Sequence, residues 1–206
     1  SLTWQRIADL RHPRKVRSSL EPDAAVYVET AAPVGTDGGG GKVVFPSPKD
    51  RVYRATQPPV DVEPAVSEGG VDSVSMLSWS AGGRFLASRS DGTRRAVRVW
   101  DSSTFALSAM LIHLSDVAAF AWHPSRQLLA VCTGGPFVFF WSPSGCRSAP
   151  LPEGGGFRVV ALAWSPTEDA LVLIDEERFC VCFIALPPEP ATADAATNPY
   201  GVELQV

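Results

Sequence analysis

One pattern is written three times between residues 75 and 185, at a spacing close to 42 residues. Each copy opens on a short apolar run that ends in Trp and a small polar residue: Met76-Leu77-Ser78-Trp79-Ser80, Phe120-Ala121-Trp122-His123-Pro124 and Leu162-Ala163-Trp164-Ser165-Pro166. A turn leads to a second run, Phe85-Leu86-Ala87, Leu128-Leu129-Ala130-Val131 or Ala170-Leu171-Val172-Leu173. The third runs are Val97-Arg98-Val99-Trp100-Asp101, Val138-Phe139-Phe140-Trp141-Ser142 and Cys180-Val181-Cys182-Phe183-Ile184. Short β-branched and aromatic runs between Gly, Ser, Asp and Pro turns predict strands. A sheet of three or four such strands has two faces to cover, so it needs neighbours of its own kind. The repeat therefore predicts an all-β array.

A period of about 40 to 45 residues, with Trp-Asp near the end of the third strand, resembles the WD-repeat propeller blade. The fold expected is an all-β, WD-repeat β-propeller array of three clear blades, one degenerate blade and an orphan outer strand. The structural repeat positions are Trp79, Trp100, Asp101, His113, Trp122, Trp141, Trp164 and Phe183. In blades of this type a His four residues before the inner strand bridges to a turn Asp and to a strand Ser, Thr or Trp. His113 stands so before Val117, and His12 before Val16. The first clear blade has Gly70 at that place, the second has Thr133-Gly134-Gly135 in place of the turn Asp, and the third offers Asp175 without a His. Packing more than a buried polar network is expected to hold these blades.

In chain order, residues 1–13 read as the outer strand of a preceding blade, with Trp4, Ile7 and Leu10 as its apolar positions. Residues 14–70 read as a degenerate blade with Gly- and Pro-rich loops, 71–186 as three WD-type blades without a last outer strand, and 187–206 as a flexible tail. Gly41-Lys42 invites comparison with a phosphate loop. That motif needs Gly at position 36 and Ser or Thr at 43, where Thr36 and Val43 stand, so the nucleotide reading fails. Two ring geometries fit: residues 2–10 pairing with 180–184 in a four-bladed ring, or an array cut from a larger propeller. Four blades is the bottom of the usual range, which favours the second. Unpaired outer edges predict self-association.

The net charge of −4 and pI near 5.4 give no general basic field for nucleic acid or acidic membranes. No apolar run reaches the length of a membrane span, and the first residues carry no charged-then-apolar signal pattern, so a soluble, unsecreted protein is expected. Arg14, Lys15 and Arg17 read as a solvated connecting loop, and Arg94, Arg95 and Arg98 as a charge-guarded strand edge, with an acidic partner as the alternative in each case. Cys132, Cys146, Cys180 and Cys182 form no CxxC pair; buried reduced thiols are expected, with zinc on Cys180 and Cys182 as the alternative.

A hydrolase triad drawn from Ser115, Asp116 and His113 or His123 has no G-x-S-x-G elbow to support it, and Glu176-Glu177 are adjacent in a turn and point apart. No catalytic, cofactor or metal residues are expected. The order Trp4-Gln5-Arg6-Ile7, Leu10-Arg11-His12-Pro13, Phe85-Leu86-Ala87-Ser88-Arg89, Cys132-Thr133-Gly134-Gly135, Trp141-Ser142-Pro143-Ser144-Gly145-Cys146 and Phe179-Cys180-Val181-Cys182-Phe183 resembles the C-terminal part of the family of WD-repeat proteins encoded antisense to a tumour-protein gene. The resemblance is specific in the last three blades and looser before them. It implies a non-catalytic scaffold at centrosomes, centriolar satellites or spindle poles. Its implied partners are a coiled-coil anchoring protein and, in fungi, a minus-end-directed kinesin at microtubule minus ends, with a role in cilium building. The alternative is a generic WD adaptor of a ubiquitin ligase or an RNA-processing complex.

Overall fold

The apolar runs become strands because their β-branched and aromatic side chains fit a pleated surface, while Gly and Ser between them turn the chain. The computed structural model describes residues 5–12, 15–16, 24–30, 53–56, 60–61, 73–151, 157–185 and 204–205. Four short strands come first: β1 (Lys15–Val16), β2 (Ala25–Glu29), β3 (Tyr53–Thr56) and β4 (Val60–Asp61). The first blade follows as β5 (Val74–Trp79), β6 (Phe85–Ser90), β7 (Ala96–Asp101) and β8 (Ala106–Ile112). The second is β9 (Ala119–Trp122), β10 (Leu129–Cys132), β11 (Phe137–Ser142) and β12 (Gly145–Pro150). The third is β13 (Ala161–Trp164), β14 (Ala170–Ile174) and β15 (Phe179–Ile184), with β16 (Leu204–Gln205) beside it. Successive strands of each blade pair antiparallel. The expected all-β array of three blades is thus what the chain forms.

The region before the repeats differs from the expectation. Among the described residues, its strands do not make a blade of their own. β2 pairs parallel with β8, Val26 opposite Met110, and β3 pairs with β2, so the first blade widens into a six-stranded sheet in the order β3-β2-β8-β7-β6-β5. Val26 and Ala24 are buried against Trp100, Leu107 and Met110, which gives the first blade's outer half a cover. Residues 5–12 have no strand ladder; Leu10 packs on the same cluster. The third blade, expected to stop at its third strand, gains β16 across Phe183↔Gln205 and Ile184↔Leu204. The Gly41-Lys42 comparison lies outside the described residues.

Two cores join three blades. Phe85, Ala87, Val97 and Val99 meet Phe120, Trp122, Val131, Phe139 and Trp141 between the first and second. Ala130, Val138 and Phe140 meet Leu162, Leu171, Leu173 and Cys182 between the second and third. β10 and β11 are buried at every position because the second blade is covered on both faces, whereas β15 alternates. The same bond closes each joint. Trp122 Nε1 donates to the Ser78 carbonyl and Trp164 Nε1 to the Ala121 carbonyl, both at 3.0 Å.

Register corrects one repeat position. Trp79 stands opposite Leu86 and Leu86 opposite Trp100; Trp122 opposite Leu129 and Leu129 opposite Trp141. In the third blade Trp164 stands opposite Leu171, and Leu171 opposite Cys182. The third anchor is therefore Cys182, fully buried, and not Phe183, which is 54% exposed. A one-residue step in a strand reverses the face, so the aromatic neighbour points away from the joint. Spacing agrees: 41 residues separate Trp100 from Trp141 and Trp141 from Cys182.

Candidate functional site

The polar groups that fix the blades converge on three histidines. In the first blade Trp100 Nε1 donates to Ser88 Oγ at 2.8 Å, and Ser88 Oγ lies 3.0 Å from His12 Nε2. The His12 and Trp100 ring centroids are 6.1 Å apart. Arg98, buried in the same face, donates to Thr93 Oγ1 at 2.9 Å and brings Nη1 to 3.5 Å from His12 Nδ1. The His that the sequence lacks at Gly70 is thus supplied by His12, 76 residues before Ser88. The four-residue interval of His12 marks it as a blade histidine, but the intervening segment hides which blade it serves. Arg98 also leaves the expected basic cluster. Arg94 and Arg95 remain exposed, and Arg95 Nε lies 3.6 Å from Asp116.

The second blade solves the same position differently. By register Val131 takes the place of Ser88 and Phe139 that of Arg98, so neither can serve a His. His113 is buried edge-on to Phe139, with centroids 4.8 Å apart, and its Nδ1 lies 3.6 Å from Glu29 Oε2. The same carboxylate accepts the Leu114 N–H at 3.0 Å. Glu29 ends β2, so a residue expected in a separate blade provides the acid that the second blade's turn lacks. Burial holds the His113 imidazole below its ordinary pKa, against Glu29, which raises it. In that turn Gly134 adopts φ +72°, a left-handed conformation that glycine takes without strain and that a side chain such as Asp rarely adopts.

His123, in the turn after β9, joins two blades. Its Nδ1 accepts the N–H groups of Ser125 and Arg126, both at 3.2 Å, and its Nε2 meets Asp169 Oδ1 at 3.0 Å. Arg126 Nη2 reaches the other Asp169 oxygen at 3.0 Å, and the His123 ring stacks edge-on to Trp164. The arrangement clamps the second blade's turn to the third's. The structure brings Ser115 to neither histidine.

The other positions have structural partners. Asp101 pairs with Arg84 at 2.7 Å and accepts from Ser103; burial would raise its pKa, but the Ser103 and Arg84 bonds hold it low. Asp91 accepts from Ser73 at 2.9 Å, and hydrogen bonds from Ser75 and Ser73 hold its carboxyl low. All four cysteines are free. Cys132 is pushed up to about 11 by burial, and Cys182 to about 12 by burial and then Cys180, so neither is a ready thiolate. Among the described residues no three His, Cys, Asp or Glu side chains gather as a metal site, and no helix is long and apolar enough to cross a membrane. A groove of about 290 Å³ lies between residues 5–10 and the first blade, with Trp79, Trp100 and Phe105 along it.

The arrangement offers rigid turns held by packed blades. No family model matches the chain. It is similar to WD repeat-containing protein WRAP73 of Mus musculus, 34% identical over 206 aligned positions that take in 93% of this chain. The chain spans 43% of the length of that relative, in its C-terminal part. Among solved structures, the Cps50 (Swd1) beta-propeller domain of Myceliophteria thermophila aligns over 52% of this chain and 39% of its own, with 15% identity and a TM-score of 0.44. A chain of the Mitotic Checkpoint Complex aligns over 52% of this chain and 34% of its own, with 21% identity and a TM-score of 0.42.

Proposed function

We propose that this WD-repeat chain is a non-catalytic scaffold that binds proteins through the turns of its blades, and that it serves in anchoring microtubule minus ends at spindle poles or centrosomes. The observation that carries the scaffold reading is the repeated joint. The Trp122-to-Ser78 and Trp164-to-Ala121 bonds, with the His123–Asp169–Arg126 clamp, hold neighbouring turns at fixed spacing. Rigid supports carrying exposed loops suit the recognition of several peptides or proteins. Fold alone does not choose the partner.

The spindle-pole reading is supported by the motif resemblance in the three blades and by the 34% identity to a WD repeat-containing relative. Its partners are a coiled-coil anchoring protein of spindle poles or centriolar satellites and a minus-end-directed kinesin; cilium building follows from the same anchoring. Affinity capture of the tagged chain from mitotic cells, read by mass spectrometry, is expected to return spindle-pole coiled-coil proteins, and imaging to place it at the poles. Recovery of ubiquitin-ligase or RNA-processing subunits with diffuse staining would replace this reading with the generic adaptor.

A further inference from the structure

Strands that alternate in direction put the turns after β6, β10 and β14 and the connections β8–β9 and β12–β13 at one end of the sheets. Backbone bonds tie these turns in a row. The Val117 N–H donates to the Arg94 carbonyl, the Ala118 N–H to the Cys132 carbonyl and the Val160 N–H to the Ile174 carbonyl. Arg158 spans the turns of the second and third blades: its N–H donates to Asp175 Oδ2 at 3.3 Å, and its side chain lies over Gly134. Neighbouring blades cover the faces of a sheet and not its ends, so this row stays open whatever stands beside it.

Most charges along the row are matched: Arg89 with Asp91 at 3.3 Å, Arg95 with Asp116 at 3.6 Å and Arg178 with Asp175 at 3.6 Å. Among the described residues, exposed Arg94 at the first blade's turn and exposed Arg158 over the second's make no ion pair, and neither do exposed Glu176 and Glu177 at the third's. Between these unmatched charges the second turn is stripped. A WD-type blade places Asp there, but Thr133-Gly134-Gly135 stands in this chain and His113 takes Glu29 instead. The turn is bare backbone, and Leu114 and Pro136 are exposed on the same row.

We propose that this row is a docking surface for a partner segment of divided charge: its acidic residues meet Arg94 and Arg158, its basic residues meet Glu176 and Glu177, and small apolar residues cross the glycines. Unmatched charges of opposite sign at the two ends of a rigid row select a segment by its charge order and orient it. The proposal rests on the reading that the turns bind proteins, and it names the chemistry of the segment they take.

Fluorescence anisotropy on the 206-residue chain at low ionic strength compares two labelled synthetic peptides. One carries a run of glutamates, a short Ala-Leu stretch and a run of lysines; the other has the same composition with its charges alternating. The segregated peptide is expected to bind about tenfold more tightly, and the difference to shrink as salt rises. Arg94→Glu with Arg158→Glu, and separately Glu176→Lys with Glu177→Lys, should each weaken that binding by about tenfold. Circular dichroism should be unchanged, because all of these side chains are exposed. Combining both pairs reverses the polarity of the row and should restore binding, since the peptide can turn end for end. Equal binding of the two peptides, paired changes without effect, or a combined variant that recovers nothing overturns the proposal. Those results leave the spindle-pole address standing, and a failed capture from mitotic cells leaves the peptide result standing, so the surface and the address fail independently.

Discussion

The first and second blades share one strand plan, yet their centres are built from opposite materials. In the first, buried Trp100 and Ser88 and half-buried His12 are linked by hydrogen bonds, with Arg98 and Thr93 alongside. In the second, Val131 and Phe139 fill the matching places and His113 turns to Glu29 from a distant strand. In both centres the histidine finds a polar partner, which is what burial demands. The difference teaches that the repeat prescribes the backbone and the joint, while the centre needs only to be filled and satisfied.

If the joints are equivalent and only the centres differ, Trp122→Ala and Trp164→Ala should have similar and large effects, about 3 to 5 kcal/mol each by chemical denaturation. A loss below about 1 kcal/mol in either would show that the joints are unequal. His12→Ala should cost about 1 to 3 kcal/mol, because the buried Ser88 and Arg98 lose a polar partner. Glu29→Gln keeps an acceptor for the Leu114 N–H and should cost less than His12→Ala in the same denaturation series; the reverse order would make the second centre the more polar in energy.

Acid should separate the two centres further. His113 has a folded pKa held below its ordinary value of about 6.5, so the unfolded chain binds its proton more readily. Its contribution is complete above that value and is lost as pH falls through it toward the folded pKa. Melting temperature measured from about pH 7.5 down to about 5.5 should therefore fall less steeply in His113→Phe than in the wild type; parallel curves would remove the imidazole from the acid response. The smallest effect is expected at Arg94→Ala, within about 0.5 kcal/mol, because that side chain is exposed on the turn. Arg98→Ala should exceed it several-fold, being buried in the first centre, and equal melts for the two would undo that distinction.

Much of the fold is legible as periodicity. The inner-strand Trp residues, the turns and the order of three strands per blade follow from short apolar runs at a constant interval. Phe183 misleads because its aromatic character imitates Trp100 and Trp141, while the spacing points to Cys182. Glu29 has no local signal at all, since a single acid at the end of an Ala-Val-Tyr-Val run reads as a strand terminus.

What the sequence determined by itself is the repeating sheet, because strand propensity and turn chemistry act over a few residues and recur wherever the same residues recur. Only the tertiary structure decided that β2 joins the first blade in parallel, that His12 serves Ser88 and that Glu29 serves His113. Those pairings link residues far apart along the chain, and their energy depends on which buried polar atom lacks a partner once the sheets have packed.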